Sequence, residues 1–270
     1  MSDSVYSVVD KCCEALKLDF SAEEFARIAA DNDFSPASVD AVNTVFEYLR
    51  EKKKQTTIQT LLRTSRLPQK NAKTFDNFEF DVLKGKDLEP LKNLRSLAAV
   101  YAHRNIAFIG PAGTGKTHLA QAFGYECCQQ GLKTYFIKAS ELRDKFTNAR
   151  RAGKVATTLT SLVRPSCLIV DEVGHCEFDK ENTRLFFDLI DRRYNKEGAF
   201  NMVFTSNKSP SLWRENFSED DSLPCSLDRI FDDAAVFNIR GESFRGKRLE
   251  TYSIQAGRMA VTRGSDQATI

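Results

Sequence analysis

The chain has 270 residues with 41% hydrophobic and 28% charged content, a soluble globular composition with room for one large domain and a small one. No stretch approaches the roughly 18 consecutive apolar residues of a membrane span, and the N-terminus lacks the basic-then-apolar pattern of a secretory signal, so the expected compartment is the cytoplasm, with no membrane partner. A net charge of +2 excludes little, but eight basic residues against one acid between Arg50 and Lys73 leave two readings open, a solvated linker or a contact with nucleic-acid phosphates.

In the first 50 residues apolar side chains recur at three- and four-residue steps, as in Val5, Val8, Val9, Cys12 and Leu16, and predict a small helical unit. Ser21 with Glu24 forms a capping box, and Ser35 before Pro36 is an N-cap with proline at the first helical position. Helix is expected to stop by Pro68, and the polar stretch 69–73 reads as an interdomain joint. From about Thr74 strands and helices alternate, which predicts a parallel sheet with helices on both faces. Strands are expected at 105–109, 134–137, 167–170, 202–205 and 235–239. Helices are expected at 116–130, at 141–163 with a break near Gly153, at 182–194, briefly after Pro210 and around Leu227. The seven cysteines are odd in number and never form a C-x-x-C pair, so they read as reduced thiols packing as small hydrophobes.

Gly110-Pro111-Ala112-Gly113-Thr114-Gly115-Lys116-Thr117 matches G-x-x-x-x-G-K-[ST] between a predicted strand and a predicted helix, followed by His118. The glycines let backbone N–H groups approach a β-phosphate, and the helix starting near Lys116 turns its positive dipole end toward the anion. Lys116 adds a charge between the β- and γ-phosphates, and the Thr117 hydroxyl is a magnesium ligand. The apolar run 167–170 ends in Asp171, which delivers a carboxylate to the magnesium, and in Glu172, the candidate base for an attacking water. Asn207 closes the next strand at the same sheet edge, where it can hold the water or touch the γ-phosphate. Two arginines, Arg229 and Arg245, are candidates for stabilising charge on the transferred phosphoryl group, and sequence order does not choose between them.

The chain resembles the IstB/DnaC-like AAA+ ATPases, and among them the IstB-type transposition helper ATPases of insertion sequences. The resemblance covers roughly residues 46–245. It is carried by Arg66-Leu-Pro68, Lys73-Thr-Phe-Asp-Asn-Phe-Glu-Phe80, the loop through Leu119, Ile169-Val-Asp-Glu-Val-Gly174, Arg192-Arg-Tyr194, Thr205-Ser-Asn207, Leu227-Asp-Arg229 and Arg240-Gly-Glu-Ser-Phe-Arg245. It implies a P-loop AAA+ parallel sheet flanked by helices, with MgATP as ligand and ATP hydrolysis as activity. Asn207 would be a sensor, Arg229 an arginine finger acting in trans within a homo-oligomer, and Arg245 a second sensor-like arginine. Duplex DNA and a transposase are the implied partners. The expected division is a helical domain over 1–67 for assembly and DNA contact, a linker over 68–81, an ATPase domain over 82–250 and a tail over 251–270. The 25 residues after Arg245 are too few for a full helical lid. Basic residues Arg143, Lys145, Arg150, Arg151 and Lys154 either line a DNA path or form a solvated helix face. Ala112 stands where proline is commoner, and His175-Cys176-Glu177 replaces a more apolar stretch.

Three other readings remain. A replicative helicase loader shares all the ATP chemistry. A P-loop small-molecule kinase shares the phosphate loop, although Glu172 beside the magnesium Asp argues against it. A nucleotide-dependent DNA-binding scaffold with residual hydrolysis is the last.

Overall fold

A computed structural model describes residues 7–83, 88–218, 223–241 and Ser243, with no side chains given for 223–226. Helices α1 (Ser7–Leu16), α2 (Ala22–Asp31) and α3 (Pro36–Thr64) bury Val9, Cys13, Phe25, Ala29 and Val39 in a small core of their own. Both expected caps form: the Ser21 hydroxyl accepts the Glu24 N–H while Glu24 accepts the Ser21 N–H, and Ser35 caps α3 ahead of Pro36. Helix α3 is 29 residues long because its two ends have different jobs. Val42 and Phe46 pack with the small core, Leu61 and Leu62 pack on the larger one, and residues 51–57 between them are exposed on every side.

After α3 the chain crosses residues 65–83 and the short helices α4 (Leu88–Lys92) and α5 (Ala98–Tyr101), which the sequence pattern did not announce. The stretch expected to be a linker, 68–81, is well anchored, since Phe75 and Phe78 are buried in the larger core. Strands β1 (Ile106–Ile109), β2 (Thr134–Lys138), β3 (Cys167–Val173), β4 (Asn201–Ser206) and β5 (Ala235–Asn238) form one parallel sheet in the order β2-β3-β4-β1-β5. Alternate side chains of each strand feed opposite layers. Ile106, Phe108, Cys167 and Ile169 meet α6 (Lys116–Gln129) and the end of α3, while Ala107, Ile109, Leu168 and Val170 meet α7 (Ala139–Arg151), α8 (Val155–Val163), α9 (Lys180–Tyr194) and α10 (Leu223–Phe231). The break near Gly153 is present, at φ 64 between α7 and α8.

Strand β3 runs three residues further than the apolar run predicted, and its register with β4 shifts between Val170 and Val173, so Asp171 and Glu172 lie within a bulged strand end. At the opposite, amino edge of the sheet, Arg193 of α9 is 1% exposed and donates five bonds of 2.7 to 3.3 Å, to the carbonyls of Leu162, Val163, Pro165, Ser166 and Asn201. Burial lowers its guanidinium to about 10. These bonds fasten the starts of β3 and β4 to the helical layer. Cys12, Cys13, Cys127, Cys128 and Cys167 are buried and Cys176 half-buried, while the side chain of Cys225 is outside the described residues. Among the described residues no helix is long and apolar enough to cross a membrane.

Candidate active site

The sheet order brings three strand ends to one edge. Strand β1 lies between β4 and β5, and the backbone N–H of Gly110 donates to the Ser206 carbonyl at 3.1 Å, so the phosphate loop starts beside the end of β4. Gly115 caps α6 at φ 90, and a Cβ there would stand 2.8 Å from the Phe78 ring; Gly113, at φ 80, is crossed by Ser243 so closely that a Cβ would meet its hydroxyl at 1.9 Å. Both positions need glycine for backbone angle and for room. The first N–H groups of α6 have no side-chain cap and face the loop. Lys116 is buried, and its Nζ folds back to the Pro111 carbonyl at 2.5 Å.

Beneath the loop, one carboxylate joins three elements. Asp171 Oδ1 accepts the Thr117 hydroxyl at 2.8 Å and the Thr205 hydroxyl at 2.6 Å, and Asp171 is 1% exposed. Burial raises its carboxyl above the ordinary range, and the two hydroxyls pull it partly back. The Thr205 oxygen also accepts the Glu172 N–H at 2.9 Å, which holds Glu172 at φ 59, a left-handed conformation a glutamate rarely adopts. The Glu172 side chain is paired with Lys138 at 2.9 Å. Lys138 ends β2 in register with Asp171, and its bond to Glu172 raises its ammonium above the usual value. Asn207 follows β4 and donates Nδ2–H to His175 Nε2 at 3.1 Å.

The structure therefore brings together Gly110 through Thr117, Asp171, Glu172 and Asn207. The ring of His118 turns the other way: its Nε2 lies 2.9 Å from both the Thr74 carbonyl and Asn77 Oδ1, it stands nearly perpendicular to the Phe78 ring with centroids 5.0 Å apart, and burial lowers its pKa. Its role is to dock the 74–80 segment, with its aromatic trio Phe75, Phe78 and Phe80, against the start of α6. Arg229 lies at the amino edge of the sheet, away from this chain's own loop. It is ion-paired with Asp191, its guanidinium stands 5.8 Å from the Tyr194 ring centre, and its side chain is 42% exposed. Arg245 is outside the described residues.

Of the basic residues on the helical segment, Arg143 pairs with Asp144 and Arg150 with Asp179, whereas Lys52, Lys53 and Lys54 of α3 are exposed. Sequence reasoning assigned no role to Thr205, Lys138 or His175. Thr205 stood in a quoted motif, but its bonds to Asp171 and Glu172 depend on the β3–β4 register. A polar residue ending the strand next to Asp171 was the available signal for Lys138.

Comparison with known proteins identifies the family and the fold. A family model described as IstB-like ATP binding protein matches residues 12–251. The ATP-binding protein of insertion sequence IS5376 from Geobacillus stearothermophilus is 34% identical over 247 residues, 90% of this chain and 96% of the relative. That of insertion sequence IS21 from Pseudomonas aeruginosa is 33% identical over 190 residues, 70% of each chain. Among solved structures, DnaI matches with a TM-score of 0.53 at 16% identity, over 68% of this chain and 93% of its own. AMPPCP-bound DnaA from Aquifex aeolicus matches with a TM-score of 0.52 at 23% identity, over 64% of this chain and 51% of its own, so this chain spans about half its length. These likenesses establish the fold, an AAA+ P-loop sheet flanked by helices.

Proposed function

Because the chain belongs to the family of IstB-like ATP binding proteins, we propose that it binds MgATP on residues 110–117 and hydrolyses it with Glu172 as the base. The observation that carries this reading is the Thr117–Asp171–Thr205–Glu172 network directly under a complete phosphate loop. Thr117 and Asp171 offer two hard oxygens 2.8 Å apart, a donor set that suits Mg2+, which when bound neutralises charge on the β- and γ-phosphates.

The loop amides and Lys116, released from the Pro111 carbonyl, hold the phosphates. Glu172 takes the proton of the attacking water, and Asn207 orients that water and the γ-phosphate. Before it can act, Glu172 has to leave Lys138. The arginine finger is Arg229 acting on a neighbouring copy's nucleotide; supporting this, it is exposed and lies at the sheet edge opposite its own loop. The aromatic trio beside Gly115 gives the adenine an apolar wall.

At the level of the cell, the reading is a transposition helper that assembles on duplex DNA and recruits or regulates a transposase. The insertion-sequence relatives and the exposed Lys52–Lys54 cluster support it. On this reading residues 1–67 serve assembly and DNA contact and 82–250 serve ATP chemistry. The experiment compares Lys116→Ala and Glu172→Gln by calorimetry and phosphate release. Lys116→Ala should lose ATP binding, and Glu172→Gln should keep it within a few-fold while turnover falls by about 100-fold or more. Normal turnover in Glu172→Gln would remove the base, and unchanged affinity in Lys116→Ala would remove the site.

A further inference from the structure

The turn after β3 carries a side chain that this hydrolytic scheme does not use. His175 is exposed, yet its ring nitrogen meets Asn207 at 3.1 Å across the gap between the turns that follow β3 and β4. Those two turns are fastened to each other by other groups. Ser206 Oγ donates to the Val173 carbonyl at 2.6 Å and accepts the Lys208 N–H at 3.0 Å. Asn216 Nδ2 donates to the Gly174 and Cys176 carbonyls at 3.1 and 3.3 Å, and its Oδ1 accepts from Lys208 Nζ at 3.1 Å. The His175 N–H closes the turn onto the Glu172 carbonyl at 3.2 Å, and Gly174, at φ 94, leaves room for the Lys208 stem. The backbones are thus set, and what the His175–Asn207 contact adds is the orientation of one side-chain amide.

The chemistry of that contact is restrictive. An amide nitrogen only donates, so in this contact the histidine nitrogen facing it is the acceptor. Asn207 gives one of its two amide hydrogens to His175. Its second hydrogen and its Oδ1 are left for other partners. A rotated amide would turn Oδ1 toward the ring instead and reverse what is offered to the site. In the reading above, Asn207 must present an acceptor to the attacking water and a donor to the γ-phosphate.

Resting on that reading, we propose that His175 is a positioning residue for Asn207, holding its amide in the one orientation that serves both water and γ-phosphate. The contact costs little stability to lose because both residues are exposed. Its effect belongs to the rate of hydrolysis and not to nucleotide affinity.

The test measures MgATP turnover and ATP affinity of the full chain for wild type, His175→Ala, His175→Phe, His175→Gln, Asn207→Ala and the His175→Ala/Asn207→Ala double variant. Loss of one orienting hydrogen bond predicts a kcat about 3- to 10-fold lower in His175→Ala, with ATP affinity within about twofold. Phenylalanine keeps a flat ring but no acceptor and should be equally slow, whereas glutamine, whose Oε1 can accept the same hydrogen, should recover most of the rate. In the Asn207→Ala background the His175 substitution should do nothing more. Equal losses in both backgrounds, or full turnover in His175→Ala, overturn the proposal while leaving Asn207 in its role. Full turnover in Asn207→Ala alone instead removes the role of Asn207, and this inference with it.

Discussion

Thr205→Val puts a number on the network under the phosphate loop. Valine keeps the shape of a side chain that is 1% exposed but removes a hydroxyl that donates to Asp171 at 2.6 Å and accepts from the Glu172 N–H at 2.9 Å. The first bond is charge-assisted and its loss costs about 1.5 to 3 kcal/mol, and the second about 1 kcal/mol, so the total is about 2.5 to 4 kcal/mol. For a chain of this size each kcal/mol moves the melting temperature by roughly 2 to 4 °C, which predicts a drop of roughly 5 to 15 °C without nucleotide at pH 7. The pH dependence provides a second check. Asp171 is raised above its unfolded value by burial, so the native state holds more protons and metal-free stability falls as pH climbs from the unfolded toward the folded value. Valine removes a group that pulls Asp171 back down, so the penalty should grow with pH across that interval and be smallest below it, where the carboxyl is protonated in both states. Differential scanning fluorimetry in chelator at several pH values reads both. A melting shift under about 2 °C at pH 7, or one that does not change with pH, would mean that Asp171 does not depend on this hydroxyl.

Lys138→Met removes an ion pair whose partners are more than two-fifths exposed, worth under about 1 kcal/mol, so the melting point should move by no more than about 4 °C while turnover changes. Turnover and affinity both equal to wild type would show that the pair does not restrain Glu172. Arg193→Met strands five carbonyls at the amino edge of the sheet and should cost at least about 3 kcal/mol by urea unfolding; a cost below about 1 kcal/mol would contradict the clamp. Arg229→Ala alone should hydrolyse slowly, and mixing it with Lys116→Ala protein should restore phosphate release, since each supplies what the other lacks; no recovery on mixing argues against action across subunits.

The order of the five strands and of the longer helices between them was legible because each strand is an apolar run or alternation and most breaks carry Gly, Pro or a capping residue, whereas the short α4 and α5 were not announced. The glycine-rich loop and the Asp171-Glu172 pair could be placed together from the sequence because each is a contiguous run beside a strand end. What escaped was set by lateral pairing. Thr205 acquires its role only when β4 lies beside β3, and Lys138 only when β2 ends in register with Asp171. His175 looked like an arbitrary polar interruption because its partner is 32 residues away in sequence. The Arg193 clamp was hidden for a related reason, since a buried arginine reads like any charged helix residue until the carbonyls of Leu162, Val163, Pro165, Ser166 and Asn201 converge on it. His118 was read with the phosphate site by adjacency, but its ring turns toward Thr74 and Asn77.

The continuity of α3 has a mechanical consequence. At about 1.5 Å per residue its 29 residues make a rod about 44 Å long, with its last turns seated on α6 and β2, the two elements that carry Lys116 and Lys138. A tilt of about 5° at that foot displaces the far tip by roughly 4 Å, as simple geometry on such a rod requires. Any small shift of α6 or β2 would thereby be magnified at the amino-terminal bundle, and a load on that bundle would act on the same two elements with the same leverage.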